Sequence, residues 1–529
     1  AGWPSVEVSG YYYIDNLDAN ATDVDNIYGY PDKPRVTVPN SGLSAGSKVF
    51  IKHCSSLTWF NSISGTAENP NWIIGVDGGI IQPQSVGTYL GFSNSDYWIV
   101  DGITFDGTNT SNVSGSLAFN INGGSDYVTI RNSIVQDMPV ADFSEARGTA
   151  AWFSGLTYVG PSLSYLANIS NVVLYNLNIS NNAGGQFLDY ESGRHAILSA
   201  GYKYNEITYG VDSLWILDST LQNNPEDGVQ LGLSALGSDQ TKCRNIYIGG
   251  NTIINNGENA IDLKASSNIV VSENVFSGYV KTEYRAGATS GSDGSVGVEN
   301  DDGGGPLNDW WIFNEFSNSR CGIRNQSSGG NHYIIGNLFY DLNKAPDDTE
   351  PTSTGYNSGV AYWQSSSGSS THIVNNTIYD VHGGIYFGNV GDAYVKGNIV
   401  SDIVDRTLGY PIAINNFTSS ELTANIYYDK DGTVRRDLNA LGITDQIDID
   451  PLFIDPSIGN YRLQDLSPGV GALTIPNEYA LFNSLFSKNI AFDIEHRIRS
   501  EISNISIGAY EYVVSDGTPP SSPEGLSIL

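Results

Sequence analysis

Short apolar–polar alternations recur along the chain, and each ends in an asparagine or aspartate. The series runs "YVTIRN" (Asn132), "NVVLYN" (Asn176), "SLWILD" (Asp218), "NIYIGGN" (Asn251) and "NIVVSEN" (Asn274). It continues with "DWWIFN" (Asn314), "HYIIGN" (Asn337), "THIVNN" (Asn376) and "AYVKGN" (Asn398). Period-two alternation over a few residues is the mark of a half-buried strand. Asn251 and Asn274 are 23 residues apart, Asn314 and Asn337 are 23 apart, and Asn376 and Asn398 are 22 apart. A repeating unit of that length with two or three short strands is one coil of a right-handed parallel β-helix, an all-β solenoid. The closing Asn is expected to supply the left-handed backbone of the corner, which it tolerates better than most residues.

This pattern divides the chain. Residues 1–70 read as an N-terminal cap with the first strands, and 71–430 as the β-helix, with long insertions near 141–165 and 279–308. Residues 431–513 read as a closing segment, and 514–529, Pro/Ser-rich, as a linker to a further module. Parity assigns the faces of each strand. In "EDGVQLG", Val229 and Leu231 point inward and Gln230 outward, and in "ENAIDLK", Ile261 and Leu263 point inward with Asp262 and Lys264 outward. By the same rule Glu299 and Arg324 face out. Stacked coils would then align Gln230, Asp262, Lys264, Glu299 and Arg324 on one lateral wall, in contact with solvent.

Composition agrees with strands and polar turns: 59 Gly and 32 Tyr against a single Met, with 16% charged residues. The formal charge of -32 excludes a nucleic-acid partner, which requires a basic footprint. No apolar run approaches the length of a membrane span. Cys54, Cys243 and Cys321 are too scattered for a metal motif or a disulfide framework and read as buried thiols. The opening "AGWPSVEVSG" reads as a mature end left by signal-peptide removal, which implies a secreted or cell-surface bacterial protein, expected to be a monomer.

Against this scarcity of charge, the outward-facing acids and bases are candidate chemistry. Glu226 and Glu258 occupy matching positions one coil apart, in "PEDGVQ" and "GENAID", with Asp227 adjacent; this oxygen-rich trio is a candidate Ca2+ site. His195, in "SGRHAILSAG", and Gln230 are candidate hydrogen-bonding groups for a polysaccharide substrate, and Trp363 and Tyr386 are candidate sugar platforms.

The pattern resembles the pectate-lyase-like β-helix superfamily, whose members mostly cleave or modify polysaccharides in a groove along one lateral face. "LKASSNIVVSENVF" is similar to the lysine coil of lyases acting on chondroitin and alginate. That resemblance implies β-elimination on a uronate or sulfated polysaccharide, with Lys264 as the base and Arg324, in "GIRNQSSGG", as its partner. "DIDPLFIDPSIGNYRLQDLSPGVGAL", followed by "SIGAYEYV", resembles the closing segment of secreted bacterial β-helix proteins. Two alternatives stay open on the same scaffold. One is a glycoside hydrolase using two carboxylates among Asp227, Asp262 and Glu299. The other is a non-catalytic adhesion protein.

Overall fold

A computed structural model describes residues 5–85, 87–109, 116–138, 157–161, 166–182, 195–205, 207–232, 243–264, 266–280, 307–325, 330–343, 358–362, 369–403, 412–432, 442, 444–499 and 504–513. These fall into two units, one built mainly from residues 1–269 and the other mainly from 270–529.

In the first unit successive coils stack as parallel ladders. One sheet contains seven strands in strict sequence order: β1 (Thr58–Asn61), β2 (Thr88–Ser93), β3 (Leu117–Asn122), β4 (Thr157–Val159), β5 (Ile197–Ser199), β6 (Val229–Leu231) and β7 (Ile261–Leu263). The other sides of the coils are formed by ladders such as Trp98–Asp101, Val128–Arg131, Ile169–Tyr175 and Val211–Leu217, again parallel and in register. Ladder pairing begins early, with Tyr11–Asp15 on Lys48–Cys54. The interior is aliphatic and aromatic, as parity requires: Phe60, Phe92, Ile121, Val159, Leu231 and Leu263 are fully buried. Cys54 and Cys243 are buried cysteines here, as Cys321 is in the second unit.

The corners hold a correction. Asn132, Asn176 and Asp218 do adopt the left-handed conformation, with φ of 52°, 51° and 48°. From Asn251 onward the residue before the Asn takes that role: Gly250, Glu273, Phe313, Gly336, Asn375 and Gly397 all have positive φ. The asparagine that follows is thereby turned inward to form a buried ladder. In the second unit Asn314, Asn337, Asn376, Asn398 and Asn425 each present Oδ1 to the backbone N–H and Nδ2 of the ladder asparagine one coil earlier, beginning with Asn274. Their Nδ2 groups also donate to carbonyls of the coil beneath, as Asn337 does to Trp311. These contacts satisfy backbone groups that a sharp buried corner would otherwise strand.

The closing segment of the second unit lies along the flank of its coils. Phe453, Tyr461, Leu463, Leu473, Ile505, Ile507 and Tyr510 form one apolar cluster with Leu338, Ile399 and Ile426 of the ladder strands. The helix α1 (Asn477–Phe486) covers a column of stacked rings, Trp310, Tyr333, His372 and Tyr394. Glu478 of α1 meets His372 Nδ1 at 2.8 Å and Lys396 Nζ at 3.3 Å. Among the described residues no helix is long and apolar enough to cross a membrane.

Candidate functional site

The site candidates of the first unit converge on the upper strands of the seven-stranded sheet. Ile197 pairs with Val229 and Val229 with Ile261, so Leu198, Gln230 and Asp262 form one outward column. Glu226 and Asp227 lie just ahead of β6 and Glu258 just ahead of β7. Gly228 and Val229 donate to the carbonyls of Asn259 and Ala260, and Asp227 Oδ1 accepts the Asn259 N–H at 2.9 Å. His195 enters from the coil below, where the Ala196 N–H bonds to the Asp227 carbonyl.

The expected solvent-facing wall is not open. Asp262 is 2% exposed, Gln230 5% and His195 6%. The inward–outward parity holds, but the outward side of these strands is covered as well, so alternation predicted direction and not exposure. Gln230 turns Nε2 onto the carbonyl of Gly232 at 3.1 Å.

Six ionisable groups therefore share a poorly solvated space. His195 lies between two acids, with Nε2 3.2 Å from Glu226 Oε2 and Nδ1 3.1 Å from Asp227 Oδ2. Lys264 Nζ contacts Asp262 Oδ2 at 2.7 Å, while Asp262 Oδ1 is buried without a hydrogen-bond partner among the described residues. Burial pushes Asp262 up to about 7; Lys264 opposes this shift and Asp227 adds to it. Burial also raises Glu258 well above the usual carboxylate range, helped by Asp227 and Glu226. For His195 burial alone would lower the pKa, but Glu226 and Asp227 reverse the sign and favour imidazolium. Burial would likewise lower Lys264, yet Asp262, Asp227 and Glu258 together hold it above an ordinary lysine.

The trio named as a candidate Ca2+ site is otherwise engaged among the described residues. Glu226 and Asp227 direct oxygens at His195, Glu258 favours its neutral form, and no group of three or more His, Cys, Asp or Glu among the described residues is disposed to hold a metal. Of the remaining candidates, Arg324 lies in the second unit, 1% exposed and paired opposite Ala361. Tyr386 is half-buried in the same unit, opposite Ala361 and Ala413. Glu299 and Trp363 lie outside the described residues. Lys264 belongs to the first unit and Arg324 to the second, so the described residues leave the alignment of Lys264, Glu299 and Arg324 an expectation. What they do bring together is the cluster of His195, Glu226, Asp227, Glu258, Asp262 and Lys264. The sequence signal that links its coils was the matching placement of "PEDG" and "GENA" one coil apart.

No family model matches the chain, and no curated protein matches it. Among solved structures it is similar to the surface protein and adhesin PfbA of Streptococcus pneumoniae, at 12% identity over 75% of this chain and 91% of that one (TM-score 0.42). It is also similar to the GH136 lacto-N-biosidase from Eubacterium ramulus, at 12% identity over 83% of this chain and 67% of that one (TM-score 0.42). A third is the pectate lyase Pel9A, at 11% identity over 95% and 96% (TM-score 0.37). The in-register ladders themselves, rather than these distant likenesses, make the chain a parallel β-helix.

Proposed function

We propose that the chain is a secreted carbohydrate-active enzyme that hydrolyses glycosidic bonds, with Glu258 as general acid and Asp262 as base or nucleophile. The observation that carries this reading is the imbalance of the cluster: among the described residues, four buried or half-buried carboxyls face two cations, His195 and Lys264. Uncompensated buried acids cost stability, and carboxyls displaced upward in a cluster are characteristic of acid–base sites. Glycoside hydrolysis needs one carboxyl protonated and one ionised at the same pH. Glu258 is half-buried and held neutral, which suits protonation of a leaving-group oxygen. Asp262 has Lys264 at 2.7 Å, which favours its ionised form relative to Glu258. The substrate class rests on the sequence resemblance to polysaccharide-acting β-helix enzymes.

The elimination reading is weaker for a physical reason. It requires Lys264 to give up its proton before it can act as a base, and three neighbouring carboxyls oppose that loss. The two readings give different products. Hydrolysis releases reducing ends with no ultraviolet absorbance from unsaturated uronate, whereas elimination releases both. Screening the purified chain on neutral and anionic polysaccharides should give reducing ends alone, and Asp262→Asn should lower turnover by about 100-fold or more. Absorbance rising with new ends would reject the hydrolase assignment.

A further inference from the structure

The same seven-stranded sheet has a second polar end. The column that carries Asp262 runs down through Gln230, Leu198, Tyr158, Asn120 and Gly91 to Trp59. The neighbouring outward column starts at Asn61, Ser93 and Asn122. Trp59 is half-exposed and its ring lies against Gly91. A Cβ at that glycine would come within 2.3–2.6 Å of the ring atoms Cε3, Cδ2 and Cζ3, so only glycine permits this placement. Beside the ring, Asn122 Nδ2 donates to Asn120 Oδ1 at 3.2 Å. Asn122 Oδ1 and Ser93 Oγ have no hydrogen-bond partner among the described residues, although Asn122 is 4% exposed and Ser93 is fully buried.

Parity turns these groups outward, because Phe92 and Ile121 beside them fill the core. Buried polar atoms without partners are costly, and a native fold that retains two of them on one outer face calls for an explanation. Between this end and the acid cluster lies an apolar belt of Leu117, Tyr158, Leu198 and Ala200. The face is therefore polar, then apolar, then polar. An extended sugar chain matches that order, since pyranose rings present C–H faces for stacking and hydroxyl edges for hydrogen bonds.

We propose that Trp59, Ser93, Asn120 and Asn122 form a remote subsite for an uncharged pyranose unit of a long polysaccharide. This deepens the hydrolase reading and rests on it for the identity of the reaction, though not for binding. The patch has no formal charge and belongs to a chain of net charge -32, so it suits hydroxyl-rich neutral glycans better than uronates or sulfates. β1 and β7 are six rungs apart in the sheet, roughly 29 Å at about 4.8 Å per rung, so only an extended chain reaches both ends.

The test is native electrophoresis of the full chain through gels containing galactomannan, xyloglucan, arabinoxylan or mixed-linkage β-glucan, compared with alginate, polygalacturonate and chondroitin sulfate. At least one neutral polymer should retard the protein. Trp59→Ala and Asn122→Ala should each weaken that retardation about tenfold at unchanged melting temperature, and Trp59→Phe should restore most of it. Gly91→Ala, which displaces the ring, should behave like Trp59→Ala. Asp262→Asn should keep full retardation while losing hydrolysis. If that variant still hydrolyses, the acid–base assignment fails and the subsite is judged by retardation alone. Retardation by anionic polymers only, by none, or equally in Trp59→Ala and Asn122→Ala would overturn the subsite.

Discussion

Replacing Asn337 with Ala tests the buried asparagine ladder, the device that closes the corners of the second unit. Asn337 Nδ2 donates to the Trp311 carbonyl at 2.9 Å and to Asn376 Oδ1 at 3.0 Å. Its Oδ1 accepts from the Asn314 N–H at 2.8 Å and from Asn314 Nδ2 at 3.0 Å. Alanine deletes all four bonds and leaves the Asn314 N–H and the Trp311 carbonyl stranded in a site with no exposure. At about 1 kcal/mol for each lost bond the expected destabilisation is about 4 kcal/mol. The backbone of Asn337 is not left-handed, so alanine adds no conformational strain of its own. The control is Asn223→Gly in the first unit. Asn223 belongs to an exposed ladder with Asn181 and Asn255 and has φ of 54°, a conformation that glycine accepts. Water replaces its lost side-chain bonds, so its effect should stay within about 0.5 kcal/mol. Urea unfolding followed by circular dichroism gives both values, and amide exchange at Asn314 locates the damage. If Asn337→Ala costs less than about 1 kcal/mol, or no more than the control, the ladder is an ornament of the coil and not its fastening.

Three further outcomes follow from the site and the closing segment. Lys264 lowers the Asp262 pKa, so Lys264→Met should move the acidic limb of the pH–rate profile, near 7 in the parent, to higher pH; an unmoved limb would separate Lys264 from catalysis. Asp262 is raised from 3.8 to about 7, so the folded state binds its proton more tightly than the unfolded chain does. Its stabilising contribution is complete below about pH 4 and is lost as pH rises through about 7. Asp262→Asn should flatten that part of a melting-temperature profile, and an unchanged slope would contradict the assignment. Arg499, fully buried, donates to the carbonyls of Phe492, Ser506 and Gly508 and pairs with Glu511 at 3.1 Å. Arg499→Met should cost about 3 kcal/mol or more and release amide protection at Ile507 and Gly508, whereas protection equal to the parent would refute its role as the fastener of that segment.

The coil was legible because its two signals are local. Alternation is read from adjacent residues, and the recurring Asn marks a corner that each coil must turn. The residues around Asn337 and Ile261 therefore announced their strands and their faces. The pairing of "PEDG" with "GENA" also survived, since a repeat of fixed length stacks equivalent positions.

The sequence by itself determined the solenoid, the apolar interior and the outward direction of Asp262, Lys264 and Gln230. Only the tertiary structure decided that this outward side is covered, that the left-handed corner shifts by one residue after Asp218, and that His195 sits between Glu226 and Asp227 where a calcium ion was expected. Direction along a strand follows from a two-residue period fixed in the backbone. Solvation and charge balance depend on which distant coils and loops close over a face, and these in turn decide whether a lysine is a base or a locked cation. No local pattern encodes that.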